Sequence, residues 1–240
     1  MHSKPKLSVV VPCYNEEKNI SFILEAFEHA MRRDDIEVIL VDNGSTDRSA
    51  AAITALAPRY RFLRVVTVPV NQGYGFGVLE GLRAAQGDYF GWMHGDMQTS
   101  PADALRTLEI IEEQKNPTAV YVKGKRRGRS LFDLFFTVGM SIFETAYLGH
   151  FFWDINAQPN IFPRSFFESW ENPPTDFALD LYALYMAKER GMRIIRFPVQ
   201  FPKRVHGASS WNTGFPAKWK FIKRTVTFSA ALKKRIAASQ

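Results

Sequence analysis

Short apolar runs alternate with stretches of helical periodicity along the first half of the chain. The apolar runs read LSVVVP, IEVILVDN, RFLRVVTVP, DYFGWMH and AVYVKGK. Helical patterns begin between these runs near Glu16, Ser45, Gly75 and Pro101. This alternation predicts an α/β fold, with a mainly parallel sheet flanked by helices. Because no repeat or low-complexity linker interrupts the chain, we expect one domain with a C-terminal appendage.

Polar residues cluster where four of the predicted strands end. The clusters are Pro12–Glu17, Asp42–Asp47, Asn71–Gly75 and His94–Gln98. In a parallel α/β sheet, ligands bind beyond the carboxyl ends of the strands. Any one cluster could serve only as a helix cap or a turn, because Asn, Ser and Gly are common in both. Four clusters at successive strand ends favour a ligand site.

Two known nucleotide-binding motifs are excluded. The run GYGFG follows the third strand and lacks the G-x-G-x-x-G spacing of a dinucleotide site, which belongs after the first strand. The P-loop pattern is absent, and no Cys/His spacing suggests a structural zinc site. Any nucleotide must therefore bind in another way.

Residues 130–153 form an amphipathic pattern when they are placed on a helix. Asp133, Thr137, Ser141 and Glu144 fall within one stripe, and the apolar residues lie away from it. Packing of the apolar stripe in an ordinary core is an open alternative.

The C-terminal segment carries a second amphipathic pattern. From Pro216 onwards, Lys and Arg gather on one helical face and apolar residues on the other. A basic amphipathic helix with an aromatic start is typical of an interfacial membrane anchor. We therefore predict that residues 215–240 form a membrane-associating helix.

Charge and composition narrow the class of protein. The formal net charge is +7, and twelve Lys or Arg without any acid lie from Arg190 to Arg235. A second basic cluster, KGKRRGR, covers residues 123–129. Such charge suits nucleic acid, an anionic membrane surface or a phosphorylated substrate as partner. The single cysteine, Cys13, excludes an internal disulfide framework and suits a reducing compartment.

The sequence indicates a cytoplasmic protein that is soluble or peripheral to the membrane. No stretch reaches the roughly 20 uncharged apolar residues that cross a bilayer. The N-terminus carries no signal-peptide pattern. Association with the inner face of the membrane would then depend on the amphipathic segments.

Four motifs occur in order between about residues 7 and 211: VVVPCYNEEKNI, VDNGSTDRS, NQGYGFGVLEGLRAAQGDYFGWMHGDMQ and FPKRVHGASSW. Together they resemble the family 2 glycosyltransferases of GT-A fold, especially the dolichyl-phosphate mannosyltransferase-like branch. The resemblance implies a catalytic domain over residues 1–214, with a nucleotide-sugar half at about 1–127 and an acceptor half at about 128–214. It implies transfer of a sugar, with inversion, from a UDP- or GDP-linked donor to polyprenyl phosphate at the cytoplasmic membrane face, in cell-surface glycan synthesis.

The resemblance also implies roles for individual residues. The donor side would comprise Pro12, Tyr14, Asn15, Glu16, Asp42, Gly44, Ser45, Gly73 and Asp96. The phosphate and acceptor side would comprise Arg126, Arg164, Lys203, Arg204 and Ser209. For the basic residues around Arg126, a solvated loop without a binding role is the alternative; these residues are Lys123, Lys125, Arg127 and Arg129. The catalytic carboxylates would be Asp96, Asp154 and Asp180. Helix capping or pairing with nearby arginines is the alternative for Asp154 and Asp180.

Mg²⁺ or Mn²⁺ is the cofactor that this chemistry implies. A nucleotide diphosphate leaves readily only when its growing charge is neutralised, and a hard cation held by one or two carboxylates does this. We expect Asp96 to be the metal ligand, with the Gln98 amide oxygen as a second. His94 replaces the first acid of the family's Asp-x-Asp. One interpretation is that His94 biases the site towards Mn²⁺ or another metal that accepts an imidazole ligand. The alternative is that His94 has no metal role and only ends the strand, where it donates a hydrogen bond.

Two alternative functions stay open at this point. The segment from Asp154 to Arg164 lacks the Ser-Gly-Phe core of the polyprenyl-phosphate branch, which favours a saccharide or glycolipid hydroxyl as acceptor. The basic C-terminus and the missing first acid would also suit a non-catalytic binder of nucleotide or nucleic acid. Apart from charge, no motif supports nucleic-acid recognition, so we expect no nucleic-acid partner.

Overall fold

The computed structural model describes residues 4–128, 131–202 and 215–239. The strands are β1 (Leu7–Cys13), β2 (Ile36–Asn43), β3 (Leu63–Val68), β4 (Tyr89–Trp92), β5 (Val120–Arg127), β6 (Asn160–Pro163) and β7 (Arg193–Gln200). The helices are α1 (Glu17–Ala30), α2 (Ser49–Leu56), α3 (Tyr74–Ala84), α4 (Pro101–Glu112), α5 (Leu131–Leu148), α6 (Arg164–Glu168), α7 (Leu179–Glu189) and α8 (Phe215–Ser239).

The seven strands form one sheet in the order β3-β2-β1-β4-β6-β5-β7. Every strand is parallel to the others except β6, which runs antiparallel to both β4 and β5. The mainly parallel α/β sheet that the sequence predicted is thereby confirmed. The carboxyl ends of six strands lie along one edge, which we call the carboxyl edge. Asn160 begins β6 at this edge because it pairs with Trp92, whereas Pro163 pairs with Tyr89 at the opposite edge.

The core fills both faces of the sheet. Val10 and Val41 point to the face covered by α3 and α7, while Val9, Val11 and Leu40 point to the face covered by α1 and α4. Successive side chains of a strand point to opposite faces, so a strand buried on both sides reads as an unbroken apolar run. This is why the first strands are visible in the sequence.

Helix α5 turns its polar stripe inwards. Ser141 and Glu144 are buried, and the Ser229 hydroxyl of α8 bonds to both carboxylate oxygens of Glu144 at 2.8 Å. Burial raises the pKa of Glu144 to about 7, although the Ser229 hydrogen bond opposes the shift. By contrast, Phe135 and Ile142 are 73% and 65% exposed. Helix α5 therefore has the two predicted stripes. The alternative interpretation, in which the apolar stripe packs in the core, is wrong for Phe135 and Ile142. The side chain of Asp133 lies outside the described part of the chain.

Helix α8 confirms the predicted C-terminal helix and packs on the domain. Leu232 is buried, and the Lys233 ammonium donates to the Tyr147 carbonyl oxygen at 2.9 Å. Towards its start, the Arg224 Nε lies 3.3 Å from Asp176 Oδ2. The helix is thus not a detached appendage in its described range. Within the described ranges, no helix combines the length and the apolar character that crossing a bilayer requires.

Candidate functional site

Asn15 ties the end of β1 to the turn after β2. Its backbone N donates to Ser45 Oγ at 3.1 Å, and its Oδ1 accepts from the Thr46 backbone N at 2.8 Å. The residue has a φ of 55°, a left-handed conformation that Asn tolerates better than most side chains. Ser45 therefore does not cap a helix: α2 begins later, where Asp47 Oδ1 accepts from the Ser49 backbone N at 2.9 Å.

The other predicted donor-side residues lie around the same edge. Pro12 is half-buried within β1, and Tyr14 just beyond it is exposed. Gly44 and Gly73 occupy the turns after β2 and β3, both with positive φ. The Asn43 side-chain amide joins these turns by donating to the Gly73 carbonyl oxygen at 3.0 Å. The structure thus brings the predicted donor-side clusters together.

Three carboxylates place negative charge near the end of β1. The pKa of the Cys13 thiol lies well above its usual range because the thiol is buried and because Glu16, Asp42 and Asp96 place negative charge near it. Asp42 and Asp96 are themselves buried. Asp42 Oδ1 accepts from the Ser45 backbone N at 3.1 Å. The result is a negatively charged edge that favours a cation.

The turn after β4 presents Asp96 at this edge. Asp96 Oδ1 accepts from the Gln98 backbone N at 3.0 Å, and Met97 between them has a φ of 59°. The Gln98 side-chain amide donates to the Pro202 carbonyl oxygen at 2.9 Å, which fixes the orientation of the amide. Asp96 and Gln98 therefore lie in one ordered turn.

The side chains at this turn fit a metal ion that would be coordinated jointly by the protein and by a bound ligand. In the part of the chain that the structure describes, no group of three His, Cys, Asp or Glu could hold a metal ion alone. Mg²⁺ is commonly bound by one or two carboxylates together with waters and substrate phosphates. Asp96, with the Gln98 amide beside it, suits such a site better than a closed protein cage.

Aromatic rings form a wall beside this turn. The Tyr74 ring lies 5.6 Å from the His94 ring and stacks on Phe177 at 4.7 Å with an interplanar angle of 7°. The Gln158 amide donates to Tyr74 Oη at 2.6 Å. The charge of a protonated His94 also acts on the Asp180 carboxyl. His94 is thus near both the Tyr74 ring and Asp180.

A buried polar network contains Asp180. The carboxylate is 1% exposed and accepts from the Asn160 amide at 3.0 Å. Asn160 Oδ1 in turn accepts from Lys123 Nζ at 2.5 Å and from Tyr121 Oη at 3.0 Å. Burial lowers the pKa of Lys123 to about 7, and burial raises the pKa of Asp180; in both groups the charge of the other opposes the shift.

The prediction of a solvated loop is wrong for Lys123. Its side chain is fully buried, because it lies within β5 on the same face as Tyr121. The sequence does contain a signal for this burial: Lys123 follows the apolar residues Val120 to Val122 and lies two residues after Tyr121, so both point to the same face of the strand. The run of basic residues that follows it made the segment look like a loop. Asn160 and Lys123 are the site residues that the sequence analysis missed.

Arg126 and Asp154 form a second, nearly buried pair. Arg126 Nε and Nη2 donate to Asp154 Oδ1, the former at 2.9 Å, and the Arg126 backbone N donates to Oδ2 at 3.0 Å. The side chains are 9% and 5% exposed. They line a cavity of about 190 Å³ together with Gly128, Leu134, Thr137 and Trp153. Asp154 thus forms an ion pair with an arginine, which the sequence analysis gave as the alternative to a catalytic role.

Arg164 does not reach the site. Its guanidinium donates to the carbonyl oxygens of Gly87 and Ala85, at 3.0 and 2.8 Å, and lies over the Phe90 ring. Since β6 is antiparallel, the residue that follows it lies at the edge opposite to Asp96. This placement corrects the acceptor-side role expected for Arg164. Lys203, Arg204 and Ser209 lie outside the described residues.

Comparison with known proteins supports this assignment of the fold. The family model described as "Glycosyl transferase family 2" matches residues 8–172. An undecaprenyl-phosphate 4-deoxy-4-formamido-L-arabinose transferase of Serratia proteamaculans is 34% identical over 112 residues, which are 45% of this chain and 34% of that protein. A dolichol-phosphate mannosyltransferase of Pyrococcus furiosus is 29% identical over 121 residues, or 50% of this chain and 34% of that protein. The matched part therefore spans about a third of the length of these curated relatives.

Solved structures share the fold. Glucosyl-3-phosphoglycerate synthase from Mycobacterium tuberculosis, in complex with Mn²⁺, UDP and glucosyl-3-phosphoglycerate, matches with a TM-score of 0.66 at 20% identity, over 86% of this chain and 74% of the other. A mannosyltransferase from Pyrobaculum calidifontis, in complex with GDP-Man and Mn²⁺, matches with a TM-score of 0.62 at 23% identity, over 85% and 59%. These likenesses establish the GT-A architecture. Since the family model also covers more than half of the sequence, the chain belongs to glycosyl transferase family 2.

Proposed function

We propose that this protein transfers a sugar, with inversion, from a UDP- or GDP-linked donor to polyprenyl phosphate. The observation that carries the proposal is the placement of the buried Asp42 and Asp96 in neighbouring turns at the carboxyl edge, beside the wall formed by Tyr74 and His94. Relatives named for undecaprenyl-phosphate and dolichol-phosphate acceptors support the choice of acceptor.

On the donor side, the turns after β1, β2 and β3 bind the nucleotide. Asp42 and the Asn15–Ser45 contact lie where the base and ribose would bind, and Gly73 leaves room beside them. Asp96 and Gln98 would hold Mg²⁺ or Mn²⁺, which when bound neutralises charge that develops on the leaving diphosphate. Burial of Asp96 limits competition from water.

On the acceptor side, the cavity at Arg126 takes the phosphate. A guanidinium can meet phosphate oxygens through two parallel hydrogen bonds, and Asp154 holds this one in place. A phosphate monoester has a second pKa near ~6 and is largely anionic at neutral pH. The nucleophile therefore needs no strong base, and Asp180 orients the acceptor side through Asn160 and Lys123.

The test is a transfer assay on the purified full chain. UDP-glucose, GDP-mannose and related donors are first screened by thermal shift with Mg²⁺ and Mn²⁺, since a ligand of the folded state raises apparent stability. The best donor is then offered to a short polyprenyl phosphate and, as matched control, to the polyprenol that lacks the phosphate. We expect product with the phosphate only.

Two results would support the alternatives. Transfer to a free glycan or glycolipid hydroxyl, with none to the lipid phosphate, would favour the hydroxyl acceptor that the missing Ser-Gly-Phe core suggests. Donor binding without transfer to any acceptor would favour a non-catalytic nucleotide binder.

We also propose that α5 rests on the cytoplasmic face of an anionic membrane. Its solvent-exposed row, Phe135, Gly139, Ile142 and Ala146, follows i, i+4, i+7, i+11 spacing and contains no polar side chain. Trp219 of α8 is likewise exposed. Exposed apolar surface of this kind marks an interaction site, and the basic C-terminal segment suits anionic headgroups.

Replacing Phe135 and Ile142 by Ser should weaken binding to anionic vesicles by about tenfold or more, because both side chains would lose their burial in the interface. Sedimentation with phosphatidylglycerol vesicles measures the effect. Phe22→Ser is the matched control: Phe22 is 47% exposed but lies on α1, across the sheet from α5. Equal sedimentation of the double variant and the wild type would refute the proposal.

A further inference from the structure

A chain of side-chain contacts runs from α8 to the candidate metal site. The Arg224 guanidinium lies 5.2 Å over the Phe177 ring, and its Nε lies 3.3 Å from Asp176 Oδ2. Phe177 stacks on Tyr74 at 4.7 Å, and Tyr74 lies 5.6 Å from the His94 ring. Three contacts in series thus connect the C-terminal helix to the end of β4, and the Arg224–Asp176 ion pair anchors the first of them.

The backbone of the same loop is fitted closely to the turn before α3. A Cβ at Gly73 would lie 2.6 Å from the Thr175 carbonyl oxygen, and a Cβ at Gly75 would lie 2.6 Å from that of Asp176. The Phe76 backbone N donates to the Thr175 carbonyl oxygen at 2.9 Å. Since the contact leaves no space for side chains, a shift of residues 174–178 towards the turn would collide with it, and a shift away would break the Phe76 hydrogen bond.

We propose that Arg224 is a positioning residue for the donor site. Its ion pair with Asp176 fixes the loop that packs on the Gly73 turn. Its contact with Phe177 fixes the ring on which Tyr74 stacks, and so orients Tyr74 beside His94. The inference rests on the proposed function, because it takes this edge as the nucleotide-sugar site. It adds that α8, whatever its contact with a membrane, takes part in donor binding.

The pair is suited to orientation more than to global stability. The Arg224 and Asp176 side chains are 39% and 35% exposed, and ion pairs in such positions contribute little to the free energy of unfolding. A planar guanidinium that contacts a ring and a carboxylate at once nevertheless fixes the direction of both. Removal of Arg224 should therefore loosen the loop without unfolding the protein.

The experiment compares Arg224→Ala with Lys233→Ala in the purified full chain. Lys233 is the matched control because it also lies on α8 and places its charge over a ring, that of Tyr147 of α5, whose carbonyl oxygen accepts its hydrogen bond. In Arg224→Ala we expect faster hydrogen exchange at residues 73–77 and 174–178. We also expect about three- to tenfold weaker binding of UDP-glucose or GDP-mannose with Mn²⁺.

Lys233→Ala should match the wild type in both measurements, and Arg224→Lys, which keeps the charge but loses the planar group, should fall between. Unchanged exchange at residues 73–77 in Arg224→Ala would overturn the proposal, and so would faster exchange with unchanged nucleotide-sugar affinity. A wild type that binds neither nucleotide sugar would defeat the proposed function instead, while the exchange data would still decide whether Arg224 holds the turn.

Discussion

Asp96→Asn should abolish metal-dependent nucleotide-sugar binding and reduce sugar transfer by at least about 10²- to 10³-fold, the range for loss of one preorganised electrostatic contact. The Asn side chain keeps an oxygen that can accept from the Gln98 backbone N, so the turn should persist. The negative charge is lost, however, and Asp96 is the only acid in the strand end HGDMQ. Calorimetric titration of the donor with and without Mn²⁺, together with turnover, measures both effects.

Asp103→Asn is the matched control for this variant. Asp103 lies in the first turn of α4, a few residues after Asp96, and belongs to no part of the proposed site. It should keep the affinity and the turnover of the wild type within about twofold, because the half-buried Asp103 acts on the dipole of α4, a contribution of about 0.3–1 kcal/mol to stability, and not on the ligand. Wild-type turnover in folded Asp96→Asn under the same metal conditions would show that the metal is held elsewhere.

The sequence predicted the donor half of the fold well because its central strands, β1 and β2, are buried on both faces. The predicted run IEVILVDN coincides with β2, and α4 begins at the predicted Pro101. Once a parallel sheet is predicted, the carboxyl-edge rule brings Asp42 and Asp96 to the same edge without knowledge of strand order. The contacts among Asn15, Asp42 and Ser45 could then be anticipated as a cluster, although not their individual hydrogen bonds.

The acceptor half was less predictable for reasons of packing. Strand β6 has only four residues, and its antiparallel direction, which carries Arg164 to the far edge, leaves no mark on so short a run. A helical wheel identifies the two stripes of α5 but does not say which faces the protein. That choice depends on Ser229, which lies 85 residues after Glu144 and provides its hydrogen bond.

The buried network gives a prediction that separates the two kinds of acceptor. If the acceptor is polyprenyl phosphate, Asp180→Asn should retain measurable transfer, because the phosphate is already anionic. If the acceptor is a sugar hydroxyl, a base must take its proton, and loss of that base would cost about 10²- to 10⁴-fold in rate. Asp180 is our candidate for this base, because it is close enough to His94 to feel its charge and because the Asn160 amide donates a hydrogen bond to it.

Stability should respond more strongly than transfer in this variant. Asp180→Asn removes the charge that opposes deprotonation of the buried Lys123, so the pKa of Lys123 should fall further and the amine should lose its proton; loss of the charge pair should lower the free energy of unfolding by about 1–3 kcal/mol. Urea unfolding measures this loss, and initial rates with polyprenyl phosphate, taken on protein shown to be folded, measure transfer. Lys123→Met combined with Asp180→Asn is the paired control: it also removes the buried amine and should regain much of the lost stability. The opposite outcome would be a wild-type protein that transfers sugar only to a free sugar hydroxyl, together with two folded variants that transfer none. That result would assign Asp180 as the base and show that the acceptor is a hydroxyl and not polyprenyl phosphate.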